Sequence, residues 1–249
     1  MAQTSEIEWT DVTWNPVAGC TKISAGCDNC YAERFAERWR GVKGNPYEFG
    51  FDLRLHPHRL EQPAKLRKPS FIFVNSMSDL FHKEVPVDYI DRVFDVMERA
   101  DWHVYQVLTK RSSLLKRYIA KRYAGRAAPA HIWLGVSLEN SEQKSRLAHL
   151  QAAPATIRFL SIEPLLAPVG ELNLANIDWV IVGGESGPHH RPMEAAWVRD
   201  IRDQCRRAGV AFFFKQWGGS RPKANGRLLD GREWNQRPSL VHPSRIAAE

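Results

Sequence analysis

The sequence lacks any long hydrophobic run. In its 249 residues, no stretch approaches the roughly 20 apolar residues that a helix needs to cross a bilayer. The opening residues, MAQTSE, also lack the basic stretch and apolar core of a secretory signal. We therefore expect a cytoplasmic protein with no membrane association.

Cysteine is scarce, and long polar low-complexity tracts are absent. Four cysteines are too few for a disulfide scaffold. A content of 43% hydrophobic and 25% charged residues is typical of a chain that buries a sizeable core. Lys and Arg number 35 against 28 Asp and Glu, so the formal net charge is +7, which favours a polyanionic partner such as DNA or RNA.

Short runs of β-branched and aromatic residues recur along the chain, and segments with helical periodicity separate most of them. This alternation predicts a parallel sheet with right-handed helical crossovers. One strand is expected between Glu8 and Val17, followed by a cysteine-rich loop and a helix over about residues 31–39. The later strands are expected to begin near Phe71, His103, His131, Ile157, Trp179 and Val210.

These strand candidates predict an α/β fold, a partial (β/α) barrel with about six or seven parallel strands. A doubly wound sheet would show the same alternation, but no G-x-G-x-x-G follows the first strand, which disfavours a dinucleotide-binding version. We expect one barrel domain over residues 1–217, with an inserted segment over residues 41–69. A polar C-terminal extension is expected over residues 218–249.

Polar residues follow every predicted strand, where the loops of a barrel meet at one rim. Three of them are the carboxylates Glu139, Glu163 and Glu185, whose repulsion predicts that cations or a ligand share the rim. Gly183 and Gly184 are expected to permit positive φ and close approach of a ligand to the main chain. For any one strand end, an ordinary polar loop is an equally good explanation.

Basic residues with interspersed aromatics form stretches that fit nucleic-acid binding. For Lys110 and Arg111, a solvated basic face is the simpler explanation. The stretches comprise Lys65, Arg67, Lys68, Lys110, Arg111, Lys116, Arg117, Lys121 and Arg122.

Cys20, Cys27 and Cys30 crowd into the loop expected between the first strand and the first helix. In a chain without an export signal, such a cluster indicates metal or redox chemistry. Three thiolates with no fourth ligand nearby suit an iron–sulfur cluster whose fourth iron is open to a small molecule.

A structural zinc is the alternative for this loop. Zinc normally closes its shell with four Cys or His ligands, and His56, His58 or Cys205 could supply the fourth. The protein would then be a non-catalytic, zinc-stabilised nucleic-acid-binding protein. Otherwise Cys205 is expected to be a small apolar core residue on its helix.

The spacing C-x6-C-x2-C, in the context WNPVAGC and CDNCYAE, resembles that of the radical S-adenosylmethionine (SAM) superfamily. More narrowly, the chain resembles a phage- and bacteria-encoded family of radical-SAM-like proteins with a three-cysteine motif, distantly similar to spore photoproduct lyase. The similarity runs from about residue 10 to about residue 238 and includes the segments GGESG and FKQWG. It implies a 4Fe–4S cluster on Cys20, Cys27 and Cys30, with SAM on the open iron.

Two features depart from the commonest pattern of that superfamily. The first gap between cysteines is six residues rather than three, and Asn29 takes the position usually held by an aromatic residue, with Tyr31 on the other side of the third cysteine. The Gly-Gly-Glu segment normally follows the second strand, whereas here it follows the sixth. The amine-binding role of that segment is therefore not carried over to Glu185.

The resemblance also implies where SAM lies. After the fourth strand, Ser137, Glu139 and Asn140 match in place and type the polar residues that commonly hold the ribose hydroxyls and the methionine carboxylate. The candidates after the second strand are Asn75, Ser76, Ser78 and Asp79.

The implied activity is reductive cleavage of SAM to a 5′-deoxyadenosyl radical that abstracts hydrogen from a substrate. Repair or modification of nucleic acid is the expected context. Because four cysteines cannot build a second full cluster, an external electron donor of the flavodoxin or ferredoxin type is expected. The residues expected to contact substrate or relay protons are Glu163, Glu185, Lys215 and Gln216, together with Trp217.

Overall fold

A computed structural model describes residues 3–239 of the chain. The terminal residues of the predicted domain and extension, 1–2 and 240–249, lie outside the described residues. The main sheet contains seven parallel strands, and the two-residue strand Gln3–Thr4 pairs antiparallel with the first of them. The parallel strands are β1 (Val12–Trp14), β2 (Phe71–Val74), β3 (Val104–Thr109), β4 (Ile132–Ser137), β5 (Arg158–Ile162), β6 (Trp179–Gly183) and β7 (Ala211–Gln216).

Helices follow most of these strands, as the alternating pattern predicts. The α-helices of the described residues are α1 (Tyr31–Glu37), α2 (Val87–Arg99), α3 (Ser112–Arg122), α4 (Ser145–Gln151) and α5 (Ala195–Ala208). None of these helices is long and apolar enough to span a bilayer.

The order of the strands distinguishes a partial barrel from a doubly wound sheet, the two folds that the alternation of strands and helices allows. From β1 to β7, each strand pairs with the next one along the chain. A doubly wound sheet reverses its strand order at one point, whereas a barrel does not. The sheet is therefore a half-barrel, and the predicted partial (β/α) barrel with its parallel strands is confirmed.

The two faces of the sheet bury different side chains. On the outer face, α2 contributes Ile90, Val93 and Phe94 to the main core. The inner face carries an aromatic cluster in which Trp9 lies 6.2 Å from Trp179 and 6.5 Å from Phe159, measured between ring centroids. Because Trp179 opens β6 and Phe159 lies near the start of β5, this cluster fills the amino-terminal end of the half-barrel.

The inserted segment and the described part of the extension both pack against the barrel. In the insertion, Arg54–Leu55 pairs antiparallel with Val17–Ala18, just before the cysteine loop. In the extension, Leu229 and Trp234 are buried in the outer core, and the Trp234 ring lies 5.7 Å from that of Phe212. The extension is therefore polar in overall composition but contains apolar residues that attach it to the barrel.

Cys205 lies on α5 and is fully buried in the outer core, as predicted. Burial raises the pKa of its thiol to about 12. A thiol of this kind is inert at neutral pH and packs as a small apolar group.

The aromatic cluster yields a stability prediction. Trp179 also contacts the rings of Trp133 and Phe213 at 5.8 and 5.9 Å, so Trp179→Ala leaves a cavity at the closed end of the barrel. We expect it to lower the free energy of unfolding by about 3–5 kcal/mol in urea titrations. Val87→Ala, at an exposed position on α2, should change it by less than about 0.5 kcal/mol. Equal losses in the two variants would contradict this account of the core.

Candidate active site

A cavity of about 400 Å³ opens at the carboxyl end of the strands. This volume lies in the range of small-molecule sites, roughly 300–1,000 Å³. Each of β2 to β7 or the loop after it contributes to its lining, and the cysteine loop covers it beyond β1. All the predicted cluster, SAM and substrate residues except Glu139, Asn140 and Trp217 line this cavity.

The structure does not bring Asn140 to the cavity. Its side-chain oxygen accepts the backbone N–H of Glu142 at 3.0 Å and caps the short 3-10 helix Ser141–Gln143. Glu139 lies beneath the cavity wall, where its carboxylate is fully buried. Neither side chain is therefore free to meet a ligand in this arrangement.

The three thiols of the cysteine loop are free and line the same cavity. Each has different neighbours. Cys20 Sγ accepts a hydrogen bond from Arg111 Nη1 at 3.4 Å, and Cys27 Sγ lies 4.0 Å from the Ser24 hydroxyl. Burial raises the pKa of Cys30, while backbone N–H groups in the first turn of α1 and the charge of Lys110 oppose that rise.

Burial also raises the pKa of Cys20, and the negative charge of Asp79 adds to this effect. The guanidinium of Arg111 opposes it. A cation and hydrogen-bond donor next to the sulfur favours its thiolate form, which is the form that binds iron.

One end of the cysteine loop is clamped to the loop after β6 by Glu185. This carboxylate accepts hydrogen bonds from Asn29 Nδ2 at 2.9 Å and from Arg191 Nη2 at 2.6 Å. Arg191 also donates to the Ala25 carbonyl at 2.8 Å, so it joins both sides of the contact. Glu185, predicted as a catalytic residue, therefore serves as an anchor for the loop.

Burial opposes the ionisation of Glu185, but the hydrogen bonds from Arg191 and Asn29 outweigh it and hold the pKa of this carboxyl below its usual range. The side chain is ionised at neutral pH. A buried, ionised carboxylate with these partners is a structural anchor rather than a proton donor.

Glu139 supports the middle of the same loop from below. It accepts the Ser24 hydroxyl hydrogen at 2.9 Å and pairs with Arg146 at 3.0 Å. A Cβ on Gly26 would lie 2.3 Å from the Glu139 side chain, so only glycine permits this close packing. Glu139 thus sets the distance between the cysteine loop and the carboxyl end of the sheet.

Arg111 and Lys110 lie inside the site, and their interpretation as a solvated basic face is wrong. The Arg111 side chain is 9% exposed and pairs with Asp79 at 3.0 Å. Lys110 Nζ lies 3.7 Å from Glu139. Because the pair directly follows β3 and precedes α3, both side chains lie at the rim of the barrel.

The basic residues do not form one continuous surface. Lys65 and Lys68 precede β2 at the closed end of the barrel, away from the cavity. Arg122 is engaged by Asp91, Asp95 and Glu98. The charge excess is therefore distributed over both ends of the molecule.

The segment after β2 contributes a buried group with no partner. Asn75 adopts φ 63° and is almost fully buried, and its Nδ2 has no hydrogen-bond partner among the described residues. The hydroxyls of Ser76 and Ser78 are engaged with Asn15 and with the Val17 carbonyl. Among Asn75, Ser76 and Ser78, Asn75 is thus the residue whose side-chain donor has no partner within the described part of the chain.

On the opposite wall of the cavity, Lys215 Nζ donates to Glu163 Oε1 at 2.5 Å. The two residues come from β7 and the end of β5, with β6 between them. A Cβ on Gly183 would contact the Glu163 side chain at 3.1 Å, so the glycine leaves room for this pair.

Gly183 and Gly184 do not provide the positive φ and the approach of a ligand to the main chain that the sequence predicts. Neither Gly183 nor Gly184 has a positive φ. A Cβ on Gly184 would lie 2.1 Å from the Trp217 carbonyl oxygen, so its close neighbour is the chain itself. Gln216 lines the cavity and donates to the Ser186 hydroxyl at 3.0 Å, whereas the Trp217 ring faces away and donates to the Leu228 carbonyl.

Several residues that hold the site were not found by sequence reasoning. Apart from Arg146, which lies close to Glu139 in sequence, each contacts a residue distant in sequence, and each residue type is common on surfaces, so no local pattern singles them out. They are Thr21, Ser24, His82, Arg146 and Arg191; Arg111 was named among the basic residues, but its contacts with Asp79 and Cys20 were not predicted.

The donor set does not suit a single metal ion. Among residues 3–239, no three His, Cys, Asp or Glu side chains converge as the ligands of one ion do. His56, His58 and Cys205 do not line the cavity with the loop thiols, so none of them completes a zinc shell there. The same finding applies to the three loop thiols, which do not converge on one ion; a 4Fe–4S cluster binds each thiolate through a different iron and so takes ligands that lie farther apart.

The sequence matches the family described as "Protein of unknown function (DUF5131)" over residues 4–238, so the chain belongs to this family. No curated protein sequence matches it. A solved structure of spore photoproduct lyase complexed with dinucleoside spore photoproduct is similar, with 11% identity and a TM-score of 0.46. A mutant of the same enzyme matches at 12% identity and a TM-score of 0.45. The alignments cover 83% of this chain and 64% of the lyase chains.

The clamp on the cysteine loop yields a pH-dependent prediction. Because the pKa of Glu185 is lower in the folded chain than in the unfolded chain, its contribution to stability is present above about pH 4.3 and is lost as the pH falls through the folded value. We expect Glu185→Gln to cost about 1–3 kcal/mol in urea unfolding at pH 7 and progressively less below about pH 4.

Glu171→Gln is the matched control, because Glu171 is exposed and its side chain lies outside the site. It should leave stability unchanged at both pH values. A Glu185→Gln deficit of constant size from pH 7 to pH 3.5 would contradict the assigned ionisation.

Proposed function

We propose that the protein is a radical SAM enzyme. One observation carries this proposal: three free thiols on a single loop open into a cavity lined by the ends of the parallel strands. In half-barrels of this kind, loops at the carboxyl ends of the strands supply the chemistry. The cysteine spacing agrees with the same activity.

Cys20, Cys27 and Cys30 would hold a 4Fe–4S cluster. When bound, the cluster would supply one electron to the sulfonium of SAM, so that a carbon–sulfur bond breaks into methionine and a 5′-deoxyadenosyl radical. The protein holds the loop in place through Glu139, Glu185 and their cations. A low-potential electron donor of the flavodoxin or ferredoxin type is required, and it is part of the proposal.

SAM would lie between the cysteine loop and the ends of β2 to β4. Asn75 Nδ2 is the buried donor available for a ligand oxygen there, and Ser137 lines the same wall. Asp79 would affect SAM binding indirectly. It accepts hydrogen bonds from Thr109 and Arg111 and so holds these two side chains in position.

The substrate would face the Glu163–Lys215 pair across the cavity. Lys215 Nζ donates a hydrogen bond to the Glu163 carboxylate there. Both side chains are mostly buried, at 15% and 21% exposure, so their charges are poorly screened from a bound molecule. They are the proposed substrate contacts, together with Gln216.

The ligand assignment is tested by single substitutions. Cys20→Ala, Cys27→Ala and Cys30→Ala should each abolish the cluster, because a cubane with an open iron has no ligand to spare. Cys205→Ala is the matched control and should retain iron, since this thiol is buried in the outer core. The measurement is iron and sulfide per chain after anaerobic reconstitution.

Stoichiometric zinc without iron in the wild-type protein would support the zinc alternative instead. Iron retained by any loop variant, together with its loss in Cys205→Ala, would show that the assigned ligands are wrong.

We further propose that the substrate is nucleic acid, in a repair or modification reaction. The net charge of +7 favours a polyanion. Tyr31 and Lys223 line the cavity; Tyr31 is 53% exposed and the Lys223 side chain 54%, and the side chain of Lys22 on the cysteine loop is 51% exposed. An exposed ring on a surface that also carries cations suits base stacking with backbone neutralisation.

This substrate class predicts steep salt dependence of binding. Six phosphate contacts would lower affinity about a thousandfold between roughly 50 and 200 mM salt. Titrations of labelled single- and double-stranded DNA and RNA should show this slope, and Lys22→Glu with Lys223→Glu should weaken binding.

Lys121→Glu is the control, because it makes the same charge change near the end of α3, away from the mouth. A larger effect of Lys121→Glu would place binding elsewhere on the protein. Absence of binding below about 100 μM at 50 mM salt, where even non-specific binders register, would contradict the nucleic-acid proposal.

A further inference from the structure

We propose that Arg111 is a positioning residue that holds the Cys20 sulfur and raises the reduction potential of the cluster. This inference rests on the proposed function, because it assigns Cys20 to a cluster. It concerns a residue that neither the cysteine spacing nor the family match identifies.

Arg111 is fixed on several sides. Its Nη1 donates to Asp79 Oδ2 at 3.0 Å and to Cys20 Sγ at 3.4 Å. Its Nη2 donates to the carbonyl and the hydroxyl oxygen of Thr21, each at 3.0 Å. A guanidinium with these bonds and 9% exposure has little freedom, so its direction toward the sulfur is set before any ligand binds.

Thr21 is itself held by a buried histidine. His82 Nδ1 accepts the backbone N–H of Glu84 at 3.2 Å, so the ring proton is assigned to Nε2. Nε2 then donates to the Thr21 hydroxyl at 2.9 Å. The residue next to Cys20 thus receives bonds from both Arg111 and His82, which ties this end of the loop to β3 and to the segment after β2.

The three cysteines differ in the donors that surround them. In the described part of the chain, Cys20 has a charged donor within hydrogen-bond distance, whereas Cys27 has only the Ser24 hydroxyl at 4.0 Å. Cys30 is influenced by the backbone N–H groups of Ala32 and Glu33. The strongest electrostatic effect on a sulfur is therefore expected at Cys20.

A hydrogen bond to a ligand sulfur withdraws electron density from the cluster. Reduction adds one negative charge, and a nearby cation stabilises that charge. The negative charge of Asp79 raises the pKa of Cys20 more than the charge of Arg111 lowers it, so the N–H contact from Arg111 to the sulfur is the effect that sets Cys20 apart. Loss of this contact should therefore make the cluster harder to reduce.

The test uses the full-length protein after anaerobic reconstitution with iron and sulfide. Reduction potentials are measured by dye-mediated titration with detection of the reduced cluster by electron paramagnetic resonance. We expect Arg111→Gln to shift the potential to a more negative value, and Arg111→Lys to give a smaller shift in the same direction, since lysine keeps the charge without the fork of donors.

Lys121→Gln is the matched control, because it removes one positive charge at an exposed side chain near the end of α3, away from the cavity. Its potential should equal that of the wild-type protein. If Arg111→Gln fails to bind the cluster, the test uses Arg111→Lys alone: a more negative reduction potential in this variant supports the inference, and a wild-type potential contradicts it.

Wild-type potential in both Arg111 variants, or an equal shift in Lys121→Gln, would overturn the inference while leaving the proposed function intact. A wild-type chain that takes up no iron would overturn the proposed function, and this inference with it.

Discussion

Buried charge pairs at the strand ends hold the cysteine loop, and the candidate site depends on them. The loop has little regular structure of its own beyond the 3-10 helix Ala25–Cys27. Glu139 supports it from β4, Glu185 clamps it from β6, and Arg111 reaches it from β3. Because each of these charged groups has an opposite partner, burial does not leave an unpaired charge.

These pairs give the cavity two distinct walls. One wall carries the three thiols, with N–H and O–H donors near the sulfurs. The other carries Glu163 and Lys215, which meet across β6 because Gly183 has no side chain there. The wide aromatic cluster around Trp179 closes the far end of the barrel, so ligands reach the site from the carboxyl ends of the strands.

Sequence reasoning predicted what depends on local patterns. The parallel strands follow from buried apolar runs, and their carboxyl ends follow from the handedness of βαβ units, so most of the cavity lining could be named in advance. Sequence reasoning could not predict which side chains form hydrogen bonds with one another. Ser24 meets Glu139 and Asn29 meets Glu185 only after folding, since more than 100 residues separate each pair. Two of the three carboxylates that indicated a ligand site, Glu139 and Glu185, therefore hold the cysteine loop, whereas Glu163 lies in the cavity wall.

The most direct test of the account is product analysis after anaerobic incubation of the reconstituted wild-type protein with SAM and a strong one-electron reductant. The account predicts that 5′-deoxyadenosine and methionine form in equal amounts, and that neither forms without the reductant. An iron-loaded, folded protein that binds SAM and forms neither product would contradict it.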